Sequence, residues 1–420
     1  MDKKILVISW FYPPVTSSEG LVTYKLLKVS KNNYDVFTQK NNASWSYGNK
    51  DRLPESENVN TIFAKAKTLK EWKAEAIEYY KTNKDKYNIV MTRSMPPESH
   101  EIGLEIKKLN PNIIWIASFG DPIANNPYTQ ISITYASPYS IKACKSIKGI
   151  FSPKRILKST LFKIRYKRLH KYFKKQDSPL QDNVLKKADY LILNNKYQKE
   201  YMLKEYNDNI KEKAIVLNHS YDKTLYPKTK KQNDKIKFAY IGHLDSQRSP
   251  AILFKAIKDL YKQCPDLAEK VEFEFYGNMA DSDKVFIINY ELTDIIKVRQ
   301  PVSYLKSLEI MKNTDWLLQI DANITPIIDK NIFFAAKLAD YIGAGNKIFG
   351  ITMLEGISTD ILRNLNAIVT SYSSEEIKNY LWLIIYKNYK IKINEEFRKN
   401  FDSITVAKEF DEFINKITLQ

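Results

Sequence analysis

The sequence has few cysteines, few glycines and no long hydrophobic run, and each of these shortages excludes a class of protein. Its two cysteines, Cys144 and Cys264, stand far apart, which excludes a disulfide framework and a thiolate metal site and favours a reducing cytosol. Only 11 of the 420 residues are glycine, which excludes a glycine-rich low-complexity segment. No run reaches the ~18 apolar residues of a membrane-spanning helix. The run from Ile5 to Phe11 also lacks a cleavage site, so it predicts a buried first strand rather than a signal peptide.

Positive charge is in excess over negative charge. The chain has 66 lysines and arginines against 48 aspartates and glutamates, which gives a formal net charge of +18. A charge of this size requires an anionic partner or an anionic surface. Nucleic acid, acidic lipid and a substrate that carries a diphosphate all meet this requirement, and the net charge does not distinguish between them.

The length of the chain predicts two or three domains, since a domain commonly holds about 100–200 residues. Short apolar strand patterns alternate with helical patterns in both halves. This alternation is typical of right-handed βαβ units and parallel sheets. We therefore expect an α/β protein with two doubly wound, Rossmann-like domains, residues 1–225 and 233–395, and a last helix within 396–420 that packs across the domain junction. The polar segment Tyr221–Lys235 is the predicted linker.

Thirteen segments carry strand patterns and eight carry the main helical patterns. The predicted strands are Ile5–Ser9, Val36–Thr38, Ile62–Ala64, Ile89–Thr92, Ile113–Ala117, Tyr190–Leu193, Ala214–Leu217, Ile236–Ile241, Val271–Tyr276, Ile295–Val298, Trp316–Ile320, Lys347–Ile351 and Ala367–Thr370. The predicted helices are Leu21–Val29, Glu71–Lys81, Glu98–Leu109, Lys196–Tyr206, Pro250–Gln263, Val302–Lys312, Phe334–Ala344 and Glu375–Tyr386. Doubly wound domains bind ligands beyond the carboxyl ends of their strands, so an active site is expected in a cleft between the two domains.

A series of motifs follows the order found in one enzyme family. The motifs are KILVISWFYPPVTSSEG at the start, Met91–Glu98 (MTRSMPPE), Trp115–Pro122 ending in Asp121-Pro122, Val216–Tyr226 with His219-Ser220 where the family has Asn-Gly, Tyr240–Leu244 with Arg248, and Ala336–Gly345. Together they resemble glycosyltransferase family 4. The resemblance implies the GT-B architecture, in which two Rossmann-like domains face each other across a cleft.

The resemblance also implies a retaining, metal-independent glycosyltransferase whose donor is a nucleotide-diphosphate sugar. Negative charge grows on the departing phosphate during transfer, so cations and N–H donors are needed beside it. Arg248, which precedes a predicted helix, and Lys337 are the candidate cations. Asp340 matches the family's second glutamate, which holds the ribose of the nucleotide. The alternative interpretations are a surface arginine in a loop and a surface ion pair between Lys337 and Asp340, three residues apart.

Two positions depart from the family pattern. Ile332 stands where the family has the first glutamate of its pair, which removes a candidate contact to the donor sugar. His243 stands beside Gly242 in the donor loop, where the family usually has arginine, so a charge at this position would depend on pH. A structural and a donor-binding interpretation of His243 both stay open.

Two positions in the first half are candidates for the cleft. Gly20 opens the first helix, where backbone N–H groups would meet the donor diphosphate, although a plain turn is an alternative. Asp121 ends a predicted strand and would orient or deprotonate the acceptor hydroxyl. The alternative for Asp121 is an Asp-Pro turn that caps a helix, and Glu19 is a reserve candidate for the same chemistry.

A strongly basic segment spans residues 142–176. It holds 13 lysines and arginines, and no acidic residue occurs from Pro122 to Gln176. Apolar and aromatic residues recur within it at helical spacing: Phe162, Tyr166, Leu169 and Phe173. This pattern predicts a basic amphipathic helix on an anionic membrane surface, or else an aromatic stripe in the core with a solvated charged face. Basic residues among aromatics also suit single-stranded nucleic acid, but no nucleic-acid-binding module is present and no such partner is expected.

The sequence therefore predicts a glycosyltransferase of bacterial surface polysaccharide synthesis, such as capsule or lipopolysaccharide. Its partners would be a nucleotide-sugar donor, a glycan or lipid-linked acceptor, and no cofactor besides the donor. We expect it in the cytoplasm, peripheral on the inner face of the cell membrane. One alternative is a nucleotide-sugar 2-epimerase of the same architecture, which needs no acceptor. The other is a non-enzymatic membrane- or nucleic-acid-binding protein on a transferase fold, which the departures at Ile332 and His243 would allow.

Overall fold

The chain forms two parallel β-sheets, one of seven strands and one of six, within the residues that the structure describes. The structure is a computed structural model, and it describes residues 4–40, 51–135, 177–228, 233–244 and 248–419, with six separate helical positions between 153 and 168. Cys144, most of the basic segment and residues 229–232 of the predicted linker lie outside the described residues. The predicted fold class, two doubly wound α/β domains, is confirmed.

The first sheet consists of β1 (Lys4–Ile8), β2 (Asn33–Gln39), β3 (Val59–Ala64), β4 (Ile89–Arg93), β5 (Ile114–Phe119), β6 (Tyr190–Leu193) and β7 (Ala214–Val216). Its strand order is β3-β2-β1-β4-β5-β6-β7, and all neighbours are parallel. Residues Ile5–Ile8 of β1 are fully buried, as expected of a parallel strand covered on both faces. The order reverses between β1 and β4, so the loops after these strands flank a crevice.

The second sheet consists of β8 (Ile236–Ile241), β9 (Val271–Tyr276), β10 (Ile296–Arg299), β11 (Trp316–Ile320), β12 (Lys347–Ile351) and β13 (Ile368–Thr370). Its strand order is β10-β9-β8-β11-β12-β13, again with parallel neighbours. The order reverses between β8 and β11. Buried aromatic rings form much of its core, with Phe238 stacked on Phe273 at a centroid distance of 4.6 Å.

Helices connect the strands of both sheets. They are Ser18–Leu27, Leu69–Asn83, Glu98–Leu109, Pro127–Tyr135, residues 177–187, Lys196–Leu203, Asp208–Glu212, Ala251–Gln263, Leu267–Lys270, Asp281–Asn289, Tyr304–Asn313, Ala336–Ala344, Ile357–Asn364, Ser374–Tyr386, Glu395–Arg398 and Ser403–Leu419. Local sequence sets several of their ends. Thr68 and Glu71 form a reciprocal capping box at the start of Leu69–Asn83, and Gly345, with φ of +70°, ends Ala336–Ala344 in the left-handed conformation that favours glycine.

The last helix, Ser403–Leu419, follows the second domain in sequence but packs against the first sheet. Its residues Val406, Phe410 and Ile414 belong to the same buried cluster as the strand residues Ile5 and Val7. Asp411 on this helix accepts hydrogen bonds from Ser30 Oγ at 2.5 Å, from the Lys31 amide at 2.9 Å and from Asn32 Nδ2 at 2.7 Å. The chain therefore crosses the domain junction twice.

Each of the 13 strands in the described part of the chain overlaps with a predicted one. Several helices were not predicted, among them Pro127–Tyr135 and Asp281–Asn289. The first is rich in β-branched residues, which favour strands. In the second, the apolar residues 285–288 are consecutive rather than three or four apart, so no amphipathic pattern is visible.

Candidate functional site

Charged side chains of the first domain meet at the carboxyl edge of its sheet. Arg93 ends β4, Asp121 follows β5, and Glu19 lies in the first turn of the first helix. The buried guanidinium of Arg93 pairs with Glu19, with Nε and Nη2 at 3.0 Å and 2.9 Å from Oε2. The Glu19 carboxylate lies so close to Gly120 that a Cβ there would come within 2.6 Å of it. Glycine at position 120 thus leaves room for the Glu19 carboxylate beside the residue that precedes Asp121.

Asp121 has a perturbed carboxyl group. Burial raises the pKa of Asp121 to about 7, the nearby Glu19 carboxylate adds to the rise, and the guanidinium groups of Arg248 and Arg93 oppose it. Arg248 belongs to the second domain, so this electrostatic interaction spans the cleft. A carboxyl group that titrates near neutral pH at the end of a strand is suited to proton transfer. The structure places Asp121 at the predicted rim of the first domain, and its catalytic role stays a prediction.

Arg248 reaches from the second domain to the first. Its Nη2 donates a hydrogen bond to the Tyr128 hydroxyl at 2.9 Å, and its guanidinium carbon lies 5.1 Å from the centre of the Tyr128 ring. Tyr128 lies in the helix Pro127–Tyr135, seven residues after Asp121. The structure thus brings Arg248 of the second domain near Asp121 of the first, across the cleft.

Lys337 lies beside the donor loop that the sequence predicted. Its Nζ donates a hydrogen bond to the Tyr240 hydroxyl and lies 3.7 Å from the centre of that ring. A Cβ on Gly242 would come to 3.5 Å from Nζ, and Gly242 has φ of +131°, a conformation that side chains rarely adopt. The alternative interpretation, a surface ion pair between Lys337 and Asp340, is wrong, because Asp340 pairs elsewhere.

Asp321 was missed by the sequence analysis and lies near both candidate cations. It follows β11 directly and is buried, and its carboxylate accepts hydrogen bonds from Gln319 Nε2 at 2.6 Å and Asn331 Nδ2 at 2.9 Å. Burial raises the pKa of Asp321, whereas hydrogen bonding and the positive charges of Arg248 and Lys337 oppose the rise. The available signal was an aspartate directly after a predicted strand, the same signal that indicated Asp121.

Asp340 forms a buried ion pair across the domain junction. Its Oδ1 accepts from Lys25 Nζ at 2.8 Å and from the Tyr304 hydroxyl at 3.0 Å. Lys25 belongs to the first helix, and the two charged side chains are 0% and 8% exposed. The sequence assigned Asp340 to the ribose of the donor through a free carboxylate. In the structure this carboxylate is not free, because one of its two oxygens already serves the contact between the domains.

Gly20 and His243 are placed differently from the other candidates. The Gly20 amide donates to Ser17 Oγ at 3.2 Å, and this bond caps the first helix. The N–H is therefore engaged within the protein, contrary to the prediction that it would meet a diphosphate. A Cβ on Gly20 would lie 3.0 Å from the backbone of Phe11, and this close approach explains the glycine. The His243 side chain is exposed, and its backbone carbonyl accepts from the Tyr240 hydroxyl at 3.0 Å.

Ile332 belongs to an apolar contact between the two domains. It is buried in one cluster with Phe333 and with Ile131 of the first domain, and its carbonyl accepts from Asn195 Nδ2 at 2.8 Å. Phe333 in turn packs on Tyr128 at a centroid distance of 4.0 Å. The departure from the family's glutamate therefore replaces a polar group with a packing residue at the domain junction.

A small cavity of about 130 Å³ lies between the domains, and Gly242 is part of its lining. Its lining includes Thr16 of the first domain together with Gly277 and Tyr304 of the second. A Cβ on Gly277, which has φ of +133°, would collide with the Gly242 carbonyl. The two glycines therefore allow the loops after β8 and β9 to lie close together at this edge, where backbone groups face the cavity.

A metal-binding cluster and a helix able to cross a membrane are both absent from the part of the chain that the structure describes. Within those residues, no group of three or more histidine, cysteine, aspartate or glutamate side chains is placed to hold a metal ion. Over the same residues, no helix combines the length and the apolar character that crossing a membrane requires.

Solved structures of similar fold cover almost the whole chain. The sucrose-phosphate synthase of Thermosynechococcus elongatus aligns with a TM-score of 0.65 and 12% identity over 99% of both chains. The lipopolysaccharide outer core galactosyltransferase WaaB aligns with a TM-score of 0.58 and 13% identity over 98% of this chain and 99% of its own. A putative UDP-N-acetylglucosamine 2-epimerase of Listeria monocytogenes aligns with a TM-score of 0.53 and 11% identity over 98% and 95%.

No protein-family model and no curated protein matches the sequence. The structural similarities lie at 11–13% identity, so they show the fold. The chain has the GT-B architecture of nucleotide-sugar glycosyltransferases, as the motifs predicted. The 2-epimerase shares this architecture, so the fold is common to both classes of enzyme.

Proposed function

We propose that the chain is a glycosyltransferase that moves a sugar from a nucleotide-diphosphate sugar to a glycan or lipid-linked acceptor. One observation carries the proposal. The positive charges of Arg248 and Lys337, both in the second domain, oppose the rise in the pKa of the buried Asp321. Arg248 also opposes the rise in the pKa of Asp121 across the cleft. Two fixed cations in a cleft stabilise the charge that develops on a departing diphosphate, which is the main electrostatic demand of this reaction.

In this proposal the second domain binds the donor and the first domain presents the acceptor. Arg248 and Lys337 bind the diphosphate, and Gly242 allows its oxygens to approach the backbone. The Tyr128 hydroxyl, which accepts from Arg248 at 2.9 Å, gives way to a phosphate oxygen, because an ionised acceptor makes the stronger hydrogen bond. Asp121 orients or deprotonates the acceptor hydroxyl. Retention of configuration and independence of metal ions belong to the proposal and rest on the likeness of the motifs to family 4.

The proposed setting is bacterial surface polysaccharide synthesis, in the cytoplasm at the inner face of the membrane. The described helical positions within the basic segment include Leu157, Leu161 and Ile164, which are 61%, 55% and 45% exposed. Spacings of four and three residues put these side chains on one helical face. An exposed apolar face within a segment rich in lysine and arginine suits an anionic lipid surface.

Two substitutions test the donor site. Arg248→Ala and Lys337→Ala should each lower donor turnover at least about tenfold, which corresponds to about 1.4 kcal/mol of transition-state stabilisation. Turnover is followed as release of the nucleotide diphosphate, and circular dichroism checks that the fold is intact. The exposed Arg363→Ala and Lys262→Ala are matched controls on the same domain. Unchanged donor affinity and turnover in both site variants would contradict the assignment.

The donor is identified by a thermal-shift screen against nucleotide diphosphates and their sugars. A ligand present at 100 times its dissociation constant adds about 2.7 kcal/mol to the free energy of unfolding, which is readily measured. Absence of any shift would favour the alternative of a non-enzymatic protein on a transferase fold, which the residues Ile332 and His243 support.

A nucleotide-sugar 2-epimerase is the second candidate, since three solved structures named as UDP-N-acetylglucosamine or UDP-GlcNAc 2-epimerases share the architecture. An epimerase converts its nucleotide sugar without an acceptor. The two activities are separated by incubating the protein with a nucleotide sugar that it binds, without any acceptor, and identifying the products. An epimerised nucleotide sugar would support the second candidate.

A further inference from the structure

A large cavity adjoins the loop that follows Asp121. Its volume is about 1090 Å³, and both domains contribute to its walls. The first domain supplies residues of the helices 177–187 and Lys196–Leu203, and the second domain supplies the loop 328–332. Binding sites for small molecules commonly have volumes of about 300–1,000 Å³, so this cavity is slightly larger than that range and can hold an extended ligand.

The walls of this cavity also hold the loop that positions Asp121. Gln181 Oε1 accepts hydrogen bonds from the amides of Ile123 and Ala124 at 2.9 Å and 3.0 Å. The Tyr201 hydroxyl donates to the Asn125 carbonyl at 2.7 Å. One face of the loop 122–126 therefore lines the cavity, and the loop begins directly after Asp121. A ligand in the cavity lies next to the place where the acceptor hydroxyl is proposed to react.

Three tyrosines line the cavity, and all three hydroxyls are held by the protein. Tyr197 donates to Asp360 at 2.7 Å, Tyr201 to the loop carbonyl, and Tyr206 to Asp182 at 3.1 Å. The rings are thus fixed before a ligand enters, so little side-chain entropy is lost on binding. A fixed tyrosine ring offers a flat apolar face beside a polar edge, which matches the flat carbon face and hydroxyl rim of a pyranose.

The charge in this cavity differs from that of the whole chain. Its lining has four carboxylates, Asp182, Glu200, Glu205 and Asp329, against three lysines, although the chain carries a formal charge of +18. A cavity with balanced charge gives no net attraction to a polyanion such as nucleic acid or an acidic polysaccharide. Carboxylates, amides and ammonium groups together provide acceptors and donors for hydroxyl groups.

We propose that this cavity binds an uncharged oligosaccharide, the part of the acceptor that lies away from the reacting hydroxyl. The assignment to an acceptor rests on the proposed glycosyltransferase function. Glycan binding itself is a property of the cavity and is measured without a donor. The expected ligand is a chain of neutral sugars several residues long, with its rings against the tyrosines and its hydroxyl groups on the carboxylates.

The test uses the full chain on a printed array of uncharged oligosaccharides, with heparin fragments as the polyanionic comparison. The variant Glu200→Ala/Glu205→Ala removes two exposed carboxylates of the lining. Glu212→Ala, also exposed but on the next helix and outside the lining, is the matched control. We expect the wild type to bind at least one uncharged oligosaccharide, the double variant to bind it at least about tenfold more weakly, and Glu212→Ala to bind it normally.

A second variant, Tyr206→Leu, removes one planar ring and should weaken binding by a similar factor. Three results overturn the proposal: no binding to any uncharged oligosaccharide, binding to heparin fragments alone, or undiminished binding by Glu200→Ala/Glu205→Ala. Stabilisation by UDP is measured on the same samples by thermal shift and is expected to be equal in all of them. Absence of glycan binding by the wild type, with its UDP stabilisation intact, overturns this inference alone. Glycan binding by a wild type that no nucleotide diphosphate stabilises overturns the proposed transferase instead.

Discussion

Replacing Lys25 by methionine should lower the free energy of unfolding by about 3–5 kcal/mol. Lys25 Nζ lies 2.8 Å from Asp340 Oδ1, and the two side chains are 0% and 8% exposed. Without the ammonium group, the buried carboxylate keeps the hydroxyl of Tyr304 at 3.0 Å but has lost the charge that compensates it. An uncompensated buried charge is the costly outcome, whereas the intact pair itself contributes little net stability.

The double variant Lys25→Met/Asp340→Leu isolates this effect. Removing both charges leaves no buried ion, so its free energy of unfolding should return to within about 1 kcal/mol of the wild type or exceed it. Lys108→Met is a matched control, because Lys108 lies 2.7 Å from Glu105 but the two side chains are 60% and 41% exposed. At nearly the same contact distance, an exposed pair should cost less than about 1 kcal/mol.

Urea unfolding followed by circular dichroism gives the four free energies, and the slopes of the transitions check that the unfolded state is unchanged. The reasoning fails if Lys25→Met costs no more than Lys108→Met. It also fails if the double variant is as unstable as Lys25→Met alone, because that result would assign the loss to packing rather than to charge.

The other predictions concern the cleft and its packing. Donor turnover at saturating acceptor should rise with pH through about 7, because the Asp121 carboxyl keeps its proton below its raised pKa and cannot accept another. The variant Asp121→Asn should turn over the donor slowly, and its pH profile should lack this inflection. Asp321→Asn should tighten binding of the nucleotide diphosphate that the thermal-shift screen selects, severalfold in calorimetry, since it removes a negative charge beside Arg248 and Lys337. Weaker binding would contradict the assigned electrostatics. Gly343→Ala should lower the free energy of unfolding by about 1–3 kcal/mol, because the added methyl group would collide with Tyr226, and a thermal melt unchanged from wild type would refute this.

The architecture was predictable because a strand buried on both faces is a continuous apolar run. Ile236–Ile241 and Trp316–Ile320 were predicted with the bounds that the structure has. The order of strands and helices then determines the parallel sheets and the cleft. Arg248 and Lys337 were chosen as candidates because the segments that hold them resemble motifs of family 4 and follow the family's order along the chain.

The partners of the site residues were not predictable in the same way. Lys25 and Asp340 are 315 residues apart, and Arg93 and Glu19 are 74 residues apart. Such contacts depend on how two domains or two distant strands dock, and no short-range pattern records this docking. The ion pair of Asp340 with Lys25 was not predicted for this reason. Asp321 was overlooked because its neighbours in the sequence, unlike those of Asp121, match no family motif.

The packing of Ser403–Leu419 on the first sheet has a consequence for biosynthesis. Ile5 and Val7 are made about 400 residues before Val406, Phe410 and Ile414, which cover them. The second domain, within residues 233–395, has all of its own strands on the nascent chain before the first domain is complete. Although domains commonly fold in order from the N-terminus, here the earlier one keeps an uncovered apolar surface on the ribosome until the last helix emerges.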